Sequence, residues 1–226
     1  MAVNSFYSRK IHSLLGVIPI GAFVLEHLYT NYHAVQGSQE FTDAVLWLNS
    51  LPLVFFLELF GIWLPLLYHG VYGLYIAFQS NSNVNRFSYT RNYMFTLQRV
   101  TGVLTFIFII WHFYSTRAQI WLGNTDHEML GHHMHDIATN PLYYAFYVIG
   151  ITCAVFHFCN GMWSFLVSWG ITVGPRAQRV STYVWMTAFV ILTALFIISL
   201  TAFLGNDFAA SETVGTALRA AGLQSV

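Results

Sequence analysis

Four histidines in apolar surroundings are the residues of this chain whose type and spacing can do chemistry. His69 sits inside LPLLYHGVYGLYIAF (residues 64–78), a run without a single charge. A titratable ring deep in a hydrocarbon-facing segment is expensive and points to function by default. Gly73 lies one helical turn beyond it on the same face, leaving clearance for something large and flat. Three other apolar runs each hold one such ring, namely His27, His112 and His157, and Gly161 stands to His157 as Gly73 stands to His69. Two imidazoles facing each other from different helices can take both axial positions of a haem iron. Such ligation leaves no open coordination site and suits electron transfer rather than oxygen chemistry. Any one of these rings could instead be hydrogen-bonded within a helix bundle. Four of them, one per run and paired in depth, favour a ligand set.

The depth of each ring depends on the element that carries it. The 226 residues are 56% hydrophobic, 18% aromatic and only 8% charged, with mean hydropathy +0.56. A soluble domain carries about 25% charged residues, so the composition predicts an all-α integral membrane protein. Five apolar runs, at about 13–32, 51–79, 97–116, 141–169 and 182–204, predict a five-helix membrane domain over residues 1–204, followed by a tail at 205–226. Residues 33–50 and 117–140 read as loops, the second acidic and histidine-rich. A basic start before an apolar run also describes a signal peptide, but no small-x-small cleavage site follows, so a retained helix is expected.

With helices alternating in direction, His27 and His112 fall roughly 8 Å below the outer boundary, and His69 with His157 roughly 24 Å below it. The rings therefore sort into an outer pair and an inner pair, about 16 Å apart in depth. Alternate connections collect Arg9, Lys10, Arg86, Arg91, Arg176 and Arg179, while the other side holds only Arg117 and Arg219, with Glu40, Asp43, Asp126, Glu128, Asp136, Asp207 and Glu212. The Lys/Arg bias sets orientation, which predicts a cytoplasmic N-terminus and an external C-terminus in a bacterial cytoplasmic membrane. Zero net charge and scattered arginines argue against nucleic acid as a partner. Cys153 and Cys159 form neither C-x-x-C nor C-x-x-C-H, so they are read as buried spectators rather than a disulfide, zinc site or covalent haem attachment.

The segments RKIHSLLGVIPIGAF, LPLLYHGVYGLYIAF, LQRVTG with the later WH, and FHFCNGMWSF followed by WGITVGPRAQR carry a resemblance. Over roughly residues 5–204 the chain resembles the type B diheme cytochrome b anchors of succinate:quinone oxidoreductases, in the single-polypeptide form found with menaquinone. The loop at 124–136 and the tail lie outside that likeness. The resemblance implies two b haems, one held by His69 and His157 nearest the cytoplasm and one by His27 and His112 nearest the outside. It also implies a flavoprotein partner that oxidises succinate, an iron–sulfur partner that relays the electrons, and menaquinone reduction near the outer face. An anchor of a quinol:fumarate reductase, of another dehydrogenase or of a hydrogenase is the nearest alternative, and a non-haem transporter or scaffold a further one.

Other polar residues carry further expectations. Glu58 precedes His69 by eleven residues, which on an ideal helix places it on the same face and about 16 Å nearer the outside. There it could exchange protons with a quinone, and it is the candidate catalytic residue. Glu26 points about 100 degrees away from His27 and is the weaker candidate. Arg99, His12 and Ser13 are expected to hold the inner haem's propionates, since arginine with hydroxyl donors suits a carboxylate. Arg176 and Arg179 are expected to face lipid headgroups or the iron–sulfur partner. His127, His132, His133 and His135 miss the H-E-x-x-H spacing and read as a solvated loop.

Overall fold

The computed structural model describes residues 2–209, with side chains from Ser5 onward. The tail predicted at 205–226 therefore lies mostly outside the described residues. Ten α-helices run along the described chain: α1 (Ala2–Val17), α2 (Pro19–Tyr32), α3 (Ser38–Asn49), α4 (Val54–Glu58), α5 (Leu64–Gln79), α6 (Thr90–Ser115), α7 (Arg117–Trp121), α8 (Leu130–Thr139), α9 (Pro141–Ser168) and α10 (Pro175–Ala202). Five stretches are long and apolar enough to cross a membrane: Ser5–Val35, Val54–Gln79, Thr90–Trp121, Pro141–Ser168 and Pro175–Ala202. Several helices begin before the apolar runs do. Arg9, Lys10, Arg91, Arg176 and Arg179 all stand on helical turns, because long basic side chains let a helix continue past the hydrocarbon while their charges stay in water.

Two spans deviate from ideal geometry at prolines. α1 and α2 are joined at Ile18, just before Pro19, whose missing N–H is harmless in the first turn of a helix. Between α4 and α5 the backbone forms a π-turn over Leu59–Trp63, which ends two residues before Pro65. A proline inside a helix removes one ladder bond and crowds the preceding turn, and a π-turn is a common way to absorb that.

The chain divides into two compact units. The first contains Met1–Glu26, Phe55–Phe108 and Ile149–Ala194. Here α1 packs along α5, and glycines permit close approach: a Cβ at Gly70 would stand 2.6 Å from the Phe106 ring, and one at Gly21 2.8 Å from Phe158. Arg91 lies 3.5 Å over the Trp163 ring and donates to the Thr182 hydroxyl, tying α6 to α9 and α10.

The second unit contains His27–Val54, Ile109–Val148 and the described part of Leu195–Val226. Both segments expected as loops hold helices instead. α3 buries Phe41 and Val45, one turn apart, and exposes Glu40 and Asp43. α8 buries Gly131, Met134, Ile137 and Ala138. Their apolar stripes are too short to stand out from the polar residues between them. Phe41, Phe203 and Phe208 form an aromatic cluster with ring centroids 5.0–6.3 Å apart, closed by Gly131. The backbone N–H of Ser38, at the start of α3, donates to the Asp207 carboxylate at 2.8 Å, which caps that helix.

The histidine-rich segment is correspondingly not a solvated loop. His132, His133 and His135 bond the backbone carbonyls of Phe208 (3.1 Å), Ser115 (2.6 Å) and Phe203 (2.7 Å). His127 accepts from Arg117 at 2.7 Å. These rings fasten α8 and the segment after α10 to their neighbours.

Candidate functional site

Each unit contains one of the histidine pairs. In the first, the rings of His69 on α5 and His157 on α9 lie 6.0 Å apart between centroids, at 86° to each other. In the second, the rings of His27 on α2 and His112 on α6 lie 5.8 Å apart at 75°. A metal–imidazole bond of about 2 Å, plus about 1 Å from nitrogen to ring centre on each side, places two rings on one iron roughly 6 Å apart. Both pairs meet that distance.

The inner rings are oriented by backbone. His69 Nδ1 donates to the His12 carbonyl at 2.9 Å, and His157 Nδ1 donates to the Gln98 carbonyl at 3.0 Å. A carbonyl acceptor fixes the tautomer with its proton on Nδ1, leaving the Nε2 lone pair free for a metal. Gln98 is itself held: its amide donates to the His157 carbonyl at 2.9 Å and accepts from Asn160 at 2.7 Å. Asn160 is 2% exposed and also donates to the Met94 carbonyl. In the other pair, His112 Nδ1 lies 3.0 Å from the hydroxyl of Tyr147, which is 3% exposed. Asn31 donates to the His27 carbonyl at 2.7 Å.

The glycines that crowd the inner rings are not the two expected. A Cβ at Gly16 would stand 2.3 Å from His69 Cε1, and a Cβ at Gly102 2.8 Å from His157 Cε1. Gly73 faces the His12 ring, at 3.0 Å from its Nε2, and Gly161 faces the Gln98 amide, at 3.2 Å. Glycine at those two positions makes room for the side chains of residues that orient the histidines. Spacing along one helix identifies a shared face; only the neighbouring helix decides what fills it.

The expected carboxylate-binding residues separate. Arg99 has a buried guanidinium nitrogen with no hydrogen-bond partner among the described residues, and its guanidinium lies 3.7 Å over the Phe95 ring. A buried donor left unpaired is costly, so this group is suited to an anionic ligand such as a haem propionate. Ser13 is otherwise engaged, donating to the Lys10 carbonyl at 3.0 Å and accepting from the Trp169 indole at 3.1 Å. The His12 ring stacks on His69 at 4.1 Å with 7° between planes.

Glu58 ends α4 and is half-buried. The π-turn between it and His69 takes up an extra residue, so Glu58 is rotated by about a quarter turn from its ideal-helix position. The shared face inferred from eleven-residue spacing does not survive that turn. Glu26 is half-buried in α2. Both cysteines are free thiols, Cys159 buried and Cys153 partly exposed.

Residues that the sequence reading missed are the carbonyl of His12, Gln98 with Asn160, Tyr147, and the glycines at 16 and 102. One signal was available. Gly16 and Gly102 each follow an orienting residue by four positions, as Gly73 and Gly161 follow the inner histidines.

Comparison with known proteins gives the family of the chain. Residues 81–197 match the family model described as succinate dehydrogenase/fumarate reductase transmembrane subunit. The chain is 48% identical over 191 residues to the succinate dehydrogenase cytochrome b558 subunit of Bacillus subtilis (strain 168), an alignment covering 84% of this chain and 93% of that protein. A hydrogenase anchor or a transporter is thereby set aside. Five apolar spans, histidines paired across helices and a match over most of the length together place this chain in the family of succinate dehydrogenase/fumarate reductase transmembrane subunits.

Proposed function

We propose that this transmembrane subunit holds two b haems, one between His69 and His157 and one between His27 and His112. It would anchor a flavoprotein and an iron–sulfur subunit and pass succinate-derived electrons to menaquinone near the outer face. The observation that carries the reading is the pair of imidazole–imidazole separations, 6.0 and 5.8 Å, each suited to one six-coordinate iron. Bound haem would supply one-electron transfer and nothing else, since bis-histidine ligation leaves no site for substrate.

The chain's own residues then have distinct tasks. The carbonyls of His12 and Gln98 hold the inner imidazoles with Nε2 free, and the Tyr147 hydroxyl does the same for His112. Arg99 offers its unpaired nitrogen to a propionate. Glu58 exchanges protons with the quinone, acting from its own helical turn and not from the face of His69. With the N-terminus cytoplasmic, outward electron movement runs with a negative-inside potential, worth up to about 2.3 kcal/mol per charge per 100 mV if the whole membrane is crossed.

Purification of the intact complex with haem quantitation tests the reading. Two haems per complex are expected in the natural protein and one in His69→Ala, with succinate:menaquinone turnover lost in the variant. Retention of both haems by His69→Ala would refute the assignment.

A further inference from the structure

A cavity of about 700 Å³ opens where α9 gives way to α10, lined by Leu166, Thr172, Val173, Arg176, Ala177, Val180, Ser181, Val184 and Trp185. On α10, Ala177, Val180, Ser181, Val184 and Trp185 follow the i, i+3, i+4, i+7, i+8 pattern of one helical stripe, about 12 Å long. The stripe is apolar except for Ser181, while the polar groups gather toward the turn that starts the helix.

Those polar groups lack partners. Ser181 is 7% exposed, and its hydroxyl has no hydrogen bond among the described residues; the buried Thr172 hydroxyl has none either. A serine within a helix can satisfy its hydroxyl on the carbonyl four residues back. Ser164, Thr182, Ser199 and Thr201 of this chain do so; Ser181 does not. Arg176 makes no ion pair among the described residues. The compact unit that contains it holds seven Lys/Arg residues against Glu26 and Glu58 alone.

We propose that this cavity binds an anionic phospholipid. Arg176 and the hydroxyls of Thr172 and Ser181 would donate to its phosphodiester, and one acyl chain would lie along Val180, Val184 and Trp185. Two unpaired hydroxyls and one unneutralised guanidinium are a donor set without an acceptor, which calls for an oxyanion. The apolar stripe leading from them on a membrane-spanning helix calls for a hydrocarbon chain joined to it. A partner protein at the membrane surface would satisfy the donors but would not extend along an apolar stripe within a membrane-spanning helix.

Native mass spectrometry of the intact complex, stripped of lipid and titrated with phosphatidylglycerol, tests this. One lipid is expected to be retained at this site by the natural protein. Affinity should fall at least tenfold in Arg176→Gln and in the Thr172→Val/Ser181→Ala double variant. Arg179→Gln, which changes an arginine outside the cavity lining, should stay within twofold and serves with the double variant to separate site chemistry from general charge. Unchanged haem content and succinate oxidation would show that each variant complex is intact. Equal lipid retention in Arg176→Gln overturns the proposal, as does equal binding of phosphatidylcholine. Displacement of the lipid by millimolar inorganic phosphate would mark a simple phosphate site, and protection of the cavity by the iron–sulfur subunit with no lipid bound would mark a protein contact; either result overturns it too.

Discussion

Replacing Gly16 by alanine should remove the haem held by His69 and His157 and spare the other. The new Cβ would stand 2.3 Å from His69 Cε1 and 2.6 Å from Nδ1, where ordinary contact begins at 3.4 Å. The ring must therefore retreat by about 1 Å from α1. Its bond to the His12 carbonyl, now 2.9 Å, would open beyond hydrogen-bonding range. Loss of such an orienting partner typically lowers metal affinity about 10–100-fold, and misalignment of Nε2 toward the iron adds to that. Haem per complex, measured as the pyridine haemochrome, should fall by roughly half, with one component missing from the reduced-minus-oxidised spectrum. Gly73→Ala is the matched control, because its Cβ would meet only the far end of the His12 side chain, at 3.0 Å. That variant should keep nearly all of its haem. Full haem in Gly16→Ala, or loss confined to Gly73→Ala, would refute the reasoning.

Three further outcomes are expected. Tyr147→Phe removes the acceptor for His112 Nδ1–H, makes the imidazole a poorer donor and should raise the potential of one haem by a few tens of millivolts, where about 59 mV is about 1.4 kcal/mol for one electron; a redox titration with both midpoints unchanged would exclude that role. Glu58→Gln should slow quinone reduction several-fold while leaving both haem spectra intact, and unchanged turnover with menaquinone removes Glu58 from the mechanism. His12→Gln keeps the backbone carbonyl that holds His69 and copies the residue found at position 98, so both haems should be retained; loss of one would show that the His12 ring itself is required, for example at a propionate.

Much of this was legible in the sequence, for reasons specific to membranes. Where charged residues are 8% of the chain, a histidine within an apolar run stands out without structural help, and helix rise with alternating direction is enough to sort four of them into His69 with His157 and His27 with His112. The rest depended on which helix faces which. α3 and α8 were hidden because their buried stripes, Phe41 with Val45 and Met134 with Ile137, are brief and set among polar residues. Glu58 departs from its expected face because a π-turn over Leu59–Trp63 breaks the 100° step of a regular helix. Gly73 and Gly161, expected to clear a haem, face the side chains of His12 and Gln98, which come from other helices.

One fit recurs within the first compact unit. On α1, His12 lends its carbonyl to His69, and Gly16, four residues on, gives the His69 ring its space. On α6, Gln98 lends its carbonyl to His157, and Gly102, four residues on, gives the His157 ring its space. In return Gly73, four residues after His69, clears the His12 side chain, and Gly161, four after His157, clears that of Gln98. The same reciprocal fit is thus built twice, 57 residues apart in one copy and 59 in the other. Reciprocity of this kind constrains both helices at once, because a side chain added at Gly16 or Gly102 pushes on the ring itself, and one added at Gly73 or Gly161 pushes on the side chain of the residue whose carbonyl orients that ring. It also explains why each ring relies on a backbone acceptor: a carbonyl cannot rotate away as a side chain can, so helix packing alone fixes the imidazole. Where the copies differ, in a stacked ring at 12 and a hydrogen-bonded amide at 98, the shared backbone geometry is the part that ligation needs, and the differing side chains are free to tune it.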